Sequence, residues 1–219
     1  LDYLLLLSRI FLLEILNTTY LNHIFHRQVY QNELFVLIQF RQNQFYKDYS
    51  KLFENLSIEL NRIGESDNDI KVIVMKGAGD KAFVSGADIS EFKERRNNAE
   101  AAAEYARISE GARARLMGVK KPLIAMIQGY CLGGGMAVAM AADMRFASDD
   151  SQFGIPAARL SIAYGYDGLH KLVHLVGPAM ASEIMFTARR VEPEEAQRIG
   201  LINRVVPIAE LESAVREVA

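Results

Sequence analysis

The sequence predicts an α/β fold, and three observations carry that prediction. Residues 123–127 are a short apolar run opened by Pro122, the pattern of a core strand. Residues 70–75 are a second run, rich in β-branched residues. Between and after them lie helical stretches, of which 99–117 is alanine-rich and 136–142 is built of small residues.

The stretch 122–143 organises the rest. After the strand at 123–127 come Gly133, Gly134 and Gly135, and then the helix, with Ala137, Met140, Ala141 and Met144 on one face. Three glycines at the mouth of a helix admit a close approach to the backbone. The first N–H groups of a helix lack internal partners, and its dipole favours negative charge there. The turn is thus a candidate site for an anionic oxygen, or for one that gains charge during a reaction. The alternative is that the glycines serve only to pack helix against strand.

Composition narrows the function classes. A chain of 219 residues, 50% hydrophobic and 24% charged, buries a sizeable single core. A net charge of −2 carries no nucleic-acid footprint. Cys131 is the only cysteine, which excludes a disulfide framework and favours a reducing, cytoplasmic setting. In the glycine-rich stretch, with no histidine nearby in sequence, it reads as a buried inert thiol. His170 and His174 are four apart on a helix but lack the glutamate of a zinc-protease motif, so they read as surface or interface residues.

The chain changes character near residue 63. All 15 glycines and all five prolines lie beyond it. Residues 1–55 form an anomalous apolar segment; its runs at 4–7 and 10–13 are interrupted by Arg9 and Glu14. They are too short and too charged to span a bilayer, and no signal-peptide pattern accompanies them. The chain starts with Leu1, and a shifted reading frame in an AT-rich gene would produce this composition. Lacking hairpin turn residues, residues 1 to about 50 are expected to form helix or to stay poorly ordered.

From there the pattern is ordinary. Leu52, Leu56, Leu60 and Ile63 share a helical face, and Gly64 ends that helix. Residues 77–82, Gly-Ala-Gly-Asp-Lys-Ala, match the dinucleotide pattern G-x-G-x-x-[GA]. Another glycine, Gly86, follows with no room for a helix, and Glu100 lies in a helix, not at a strand end, so the nucleotide reading is rejected. Residues 91–96 read as a solvated helix or loop. Later elements are a strand at 144–147, a tight turn at 164–168, helices at 169–176, 179–186 and 193–199, a strand at 201–206 and a helix from 210.

Five stretches in order then carry a resemblance: Ala82-Phe-Val-Ser-Gly-Ala-Asp-Ile89, Gly129-Tyr-Cys-Leu-Gly-Gly-Gly135, Asp143-Met-Arg-Phe-Ala147, Phe153-Gly-Ile-Pro156, and Glu195-Ala196 with Gly200-Leu-Ile-Asn203 and Val205-Val-Pro207. Each alone is common, but the ordered set closely resembles the enoyl-CoA hydratase/isomerase (crotonase) family. The resemblance covers about residues 56 to 212. It implies a spiral of β-β-α units with a core at 56–207 and a truncated C-terminal helical region at 208–219. It also implies acyl-CoA thioester substrates, with coenzyme A part of the substrate, no separate cofactor, no metal, and a homotrimer or hexamer. Nucleic acid and membrane are not expected partners.

The site implied by the resemblance is an oxyanion hole for a thioester enolate. By position its backbone donors are Ala87 and Gly134; one such donor is typically worth about 2.7–4 kcal/mol. Lys81 falls where the family often meets the CoA phosphates, its plain alternative being an exposed loop lysine. Ala87, Asp88, Ile89 and Ser90 line the pantetheine path. Tyr164 and Tyr166 are placed to bond or cover the acyl chain.

Two departures stand out. Where the family's hydratases carry glutamates, two residues after the triple glycine and directly after the proline of Phe-Gly-x-Pro, this chain has Ala137 and Ala157. Alanine neither activates water nor delivers a proton. Asp167 is the best-placed remaining carboxylate, although relatives use an aspartate at the position of Gly165; its alternative role is that of a turn aspartate bonding its own backbone. The implied function is that of an acyl-CoA enzyme acting on a thioester enolate. Hydratase, decarboxylase, isomerase, thioesterase and non-catalytic acyl-CoA binding remain open.

Overall fold

The computed structural model describes residues 35–40, 70–77, 79–86 and 98–219. Two sheets organise them. The larger holds β1 (Phe35–Phe40), β2 (Val72–Gly77), β4 (Leu123–Ile127), β6 (Met144–Ser148) and β9 (Arg204–Val206), all parallel, in the order β1-β2-β4-β6-β9. The smaller holds β3 (Ala82–Val84), β5 (Tyr130–Leu132) and β7 (Gln152–Gly154) in parallel, with β8 (Arg190–Val191) antiparallel at its edge.

The chain steps from the first sheet to the second three times, from β2 to β3, β4 to β5 and β6 to β7. After two of these steps it runs into a helix: β5 leads into α2 (Gly134–Ala141), and β7 leads through a 3-10 turn (Ala158–Leu160) into α3 (Tyr166–Thr187). This is the expected spiral of β-β-α turns. One step shows why it needs glycine. Gly129 has φ +63°, and a Cβ there would fall 2.2 Å from the Lys81 carbonyl oxygen, while the next N–H, of Tyr130, donates to that oxygen at 3.1 Å.

β4 is buried along its whole length because both faces of the parallel sheet are covered. Leu123, Ala125 and Ile127 join Ile73 and Met75 in the main core, under the second sheet and the helices. Ile124 and Met126 join Val72, Val74 and Phe146 on the opposite face, covered by Leu211 and Val215 of α5 (Leu211–Val218). The helix α1 (Ala99–Met117) starts at Asn98, whose side chain accepts the Ala101 N–H at 2.8 Å, and buries Ala112 and Leu116. Pro193 opens the short α4 (Pro193–Arg198). Among the described residues no helix is long and apolar enough to cross a membrane.

Several sequence expectations change. The segment 1–50, expected to form helix or to stay poorly ordered, contributes the edge strand β1, with Phe35 opposite Val72 and Phe40 opposite Gly77. The absence of turn residues misled here: a parallel strand is reached by a long crossover and needs no hairpin turn. The strand foreseen at 70–75 lies two residues later and runs into a turn and β3, which leaves Gly77 at the end of β2 and Gly79 in the strand-to-strand link. The stop expected at Gly177-Pro178 is a kink, with Gly177 at φ 78° inside α3. The tight turn at 164–168 is already helical from Tyr166, and the last strand is confined to Arg204–Val206. The helix expected on Leu52 to Ile63 and the segment 91–96 lie outside the described residues.

Asp143 closes the central unit. Its carboxylate Oδ2 accepts the Leu123 N–H at 2.8 Å, and its own N–H donates to the Leu123 carbonyl at 2.8 Å, tying the end of α2 to the start of β4. Asp143→Ala is expected to cost about 1 kcal/mol, read as a lower urea midpoint at unchanged slope. An unchanged midpoint would show that the clamp adds nothing.

Candidate active site

The site begins where β3 and β5 end against the start of α2. Gly133 has φ 54° and ψ −112°, a conformation that suits glycine, and its N–H donates to the Gly154 carbonyl at 2.8 Å. A Cβ on Gly135 would lie 1.9 Å from the Val84 carbonyl oxygen. Gly86, at φ +105°, approaches the same turn: a Cβ there would be 3.2 Å from the Leu132 oxygen and 3.9 Å from the Gly134 nitrogen. The Gly134 N–H finds no acceptor among the described residues. The structure therefore brings Gly86 and Gly134 together at a helix N-terminus, where the free N–H and the helix dipole favour negative charge.

The other sequence-singled residues are placed as follows. Ala87, Asp88, Ile89 and Ser90 lie outside the described residues. Lys81 is exposed in the turn between β2 and β3. Ala137 is half-buried in α2, and Ala157 is buried at the start of the 3-10 turn. Asp167 is exposed in the first turn of α3. Tyr166 is 75% exposed and its ring stacks on His170 with centroids 5.7 Å apart, while His170 in turn lies 4.3 Å from His174. Tyr164 turns the opposite way. It packs on the core cluster that holds Cys131, Met136 and Ala157, and its hydroxyl is closed off from solvent.

Burial sets the chemistry of two groups here. Desolvation pushes the Cys131 thiol far above its ordinary range, and the thiol sits 3.8 Å from the Met136 sulfur. Desolvation likewise raises the Tyr164 phenol, against the opposing pull of the nearby Arg113 cation, so the hydroxyl stays protonated as a donor. The hydroxyls of Tyr164 and Ser109 are the buried side-chain polar atoms without a hydrogen-bond partner among the described residues. An unsatisfied buried hydroxyl costs about 1–3 kcal/mol. Sequence reading passed over Ser109 and Arg113 because nothing local in α1 sets them apart from its other polar residues. It also passed over Arg145, a buried cation whose Nε and Nη1 donate to the carbonyls of Leu201 and Ala142 at 2.8 and 2.7 Å.

An α/β spiral with paired sheets and a glycine turn at its centre defines the architectural class. This chain belongs to the enoyl-CoA hydratase/isomerase family, whose model matches residues 39–219, beginning inside the segment set apart at 1–55. It is 42% identical over 159 residues to the short-chain-enoyl-CoA hydratase of Clostridium acetobutylicum, covering 72% of this chain and 60% of that protein. It is 37% identical over 156 residues to the carnitinyl-CoA dehydratase of Proteus mirabilis, covering 70% and 58%. Among solved structures, an enoyl-CoA hydratase/carnithine racemase from Magnetospirillum magneticum superposes with TM-score 0.79 at 30% identity, over 86% of this chain and 70% of that one. The enoyl-CoA hydratase of Bacillus anthracis does so with TM-score 0.77 at 30% identity, over 87% and 73%. The chain thus spans about 60% of the length of the first of these relatives.

A buried neutral thiol is a poor nucleophile. Iodoacetamide at pH 8 is expected to leave Cys131 unlabelled in the folded chain and to label it once the chain is denatured in urea, with mass spectrometry as the readout. Rapid labelling of the folded protein would show the thiol to be accessible.

Proposed function

We propose that this chain is an acyl-CoA thioester enzyme whose backbone N–H groups at Ala87 and Gly134 hold the thioester oxygen as an enolate forms. The observation that carries this reading is the unpartnered Gly134 N–H at the mouth of α2, with Gly86, the residue before Ala87, brought against the same turn. Donors fixed in advance stabilise charge that appears only in the transition state, and they need no reorganisation at that moment. The relatives named for short-chain enoyl-CoA and carnitinyl-CoA support the substrate class.

In this reading Lys81 meets the CoA phosphates, and Asp88, Ile89 and Ser90 follow the pantetheine arm. Tyr164, from the core side, and Tyr166, from the exposed start of α3, are the tyrosines available to bond or cover the acyl chain, and Asp167 is the carboxylate available for proton transfer. Coenzyme A enters with the substrate and no further cofactor is required. The working unit is a homotrimer or hexamer in the cytoplasm.

Ala137 and Ala157 favour a second reading of the reaction itself. A decarboxylation, isomerisation or thioester hydrolysis on the same oxyanion hole demands less than hydration, which needs a base for water and an acid for the α-carbon. Acyl-CoA binding without turnover is the limiting case. Turnover of an acyl-CoA panel, set beside binding of a non-hydrolysable acyl-CoA, separates these.

Gly134→Pro removes one donor and is expected to abolish turnover of any active acyl-CoA while some CoA affinity remains; undiminished turnover would overturn the assignment. Crotonyl-CoA hydration is expected at or near background, since general acid–base groups are worth about 10²- to 10⁴-fold each. Robust hydration that survives Asp167→Asn would show that the chemistry runs on other groups.

A further inference from the structure

Three polar side chains of α1 and the approach to α3 have no hydrogen-bond or ion-pair partner among the described residues. The hydroxyls of Ser109 and Tyr164 are buried without a hydrogen-bond partner among the described residues. The Arg113 side chain forms no ion pair or hydrogen bond among them, even with Asp167 in the adjoining first turn of α3. They come from two elements, and Arg113 and Tyr164 meet at the start of α3. Ser109 and Arg113 are four apart in α1 and so share one side of it. The Arg113 guanidinium reaches the start of α3: a Cβ on Gly168 would lie 3.4 Å from Arg113 Nη1 and 2.7 Å from Tyr164 Cε1. A Cβ on Gly165 would lie 3.5 Å from the same Nη1. Glycine at both positions leaves the room that the guanidinium and the Tyr164 ring occupy.

The place of this cluster is informative. Tyr164 packs on the core cluster that contains Cys131 and Met136, which flank the glycine turn, and Ala157. α2, whose first N–H at Gly134 has no acceptor among the described residues, packs on both α1 and α3, the helices that carry or follow these groups. Its chemistry is one-sided. A protonated phenol, an alcohol and a guanidinium offer several donors and a positive charge, and what they lack is an acceptor. A carboxylate satisfies all three in one group, and charge-assisted hydrogen bonds to it are the strong kind.

We propose that Tyr164, Ser109 and Arg113 form the far wall of the acyl site and select an acyl group that itself carries a carboxylate, a dicarboxylic acid held as its mono-CoA thioester. This rests on the thioester reading of the glycine turn. A neutral acyl chain would leave the two hydroxyls unsatisfied and the guanidinium unmatched.

The test is isothermal titration of the full chain at pH 7 with glutaryl-CoA against hexanoyl-CoA, and with malonyl-CoA against butyryl-CoA. The CoA portion is common to each pair, so the ratio isolates the acyl end. The diacid thioester of at least one pair is expected to bind about tenfold tighter or more. Tyr164→Phe and Arg113→Gln are each expected to bring that ratio towards one. The ratio is read within each variant, so a general loss of fold acts on both arms alike. Should Tyr164→Phe not fold, Arg113→Gln carries the same test from the half-buried rim of the cluster. Equal binding of diacid and neutral thioesters overturns this proposal alone, as does a preference that survives both substitutions. Failure of every thioester to bind overturns the thioester reading and this proposal with it.

Discussion

The structure depends on an absent side chain. The Val84 carbonyl and the Gly135 backbone stand so close that a Cβ on Gly135 would sit 1.9 Å from the oxygen. That contact lets β3 end against the first turn of α2. Any side chain would push the helix mouth away from the strand and take the Gly134 N–H with it. Gly86 is brought against the same turn, near the Leu132 carbonyl and the Gly134 nitrogen. The smaller sheet, the start of the helix and the candidate oxyanion site thus share one steric condition.

Around that point the molecule treats its buried polar groups in two ways. Those that hold the fold together are fully used. Arg145 is deep in the protein, yet it donates to the carbonyls of Leu201 and Ala142, and its backbone N–H donates to Asn203 Oδ1 at 2.8 Å. Ser148 and Ser151 share the Ile127 carbonyl and bond each other. Burying such groups is tolerable because their lost hydration is replaced. The hydroxyls of Ser109 and Tyr164 are left unsatisfied among the described residues. Buried polar groups left unpaired are exceptions that call for an explanation, and a ligand is one.

The same contrast bears on the reaction. α2 and the 3-10 turn present Ala137 and Ala157, and neither brings a carboxylate to the turn. What the site does offer is a fixed donor and a helix dipole, which stabilise charge without moving protons.

Much of this was legible in the sequence, and the reason is local. The places of α1 and β4 follow from an alanine-rich run and an apolar stretch behind a proline, each read within a few residues. The unpaired donor at the glycine turn was legible because helix N-termini carry such donors wherever they occur. Three things were decided only by the tertiary structure. β1 gained its place by pairing with β2 across a long crossover, and no local turn announces such a pairing. Tyr164 and Tyr166 were equivalent in the sequence, yet the first is turned into the core and the second into solvent, because α3 begins between them. Arg113 looked like any polar residue of an exposed helix until packing of α1 brought its guanidinium to Gly165 and Gly168. Local patterns record what neighbours in the chain do to one another; which side chains meet across the core depends on how the elements pack, and no short window of sequence contains that.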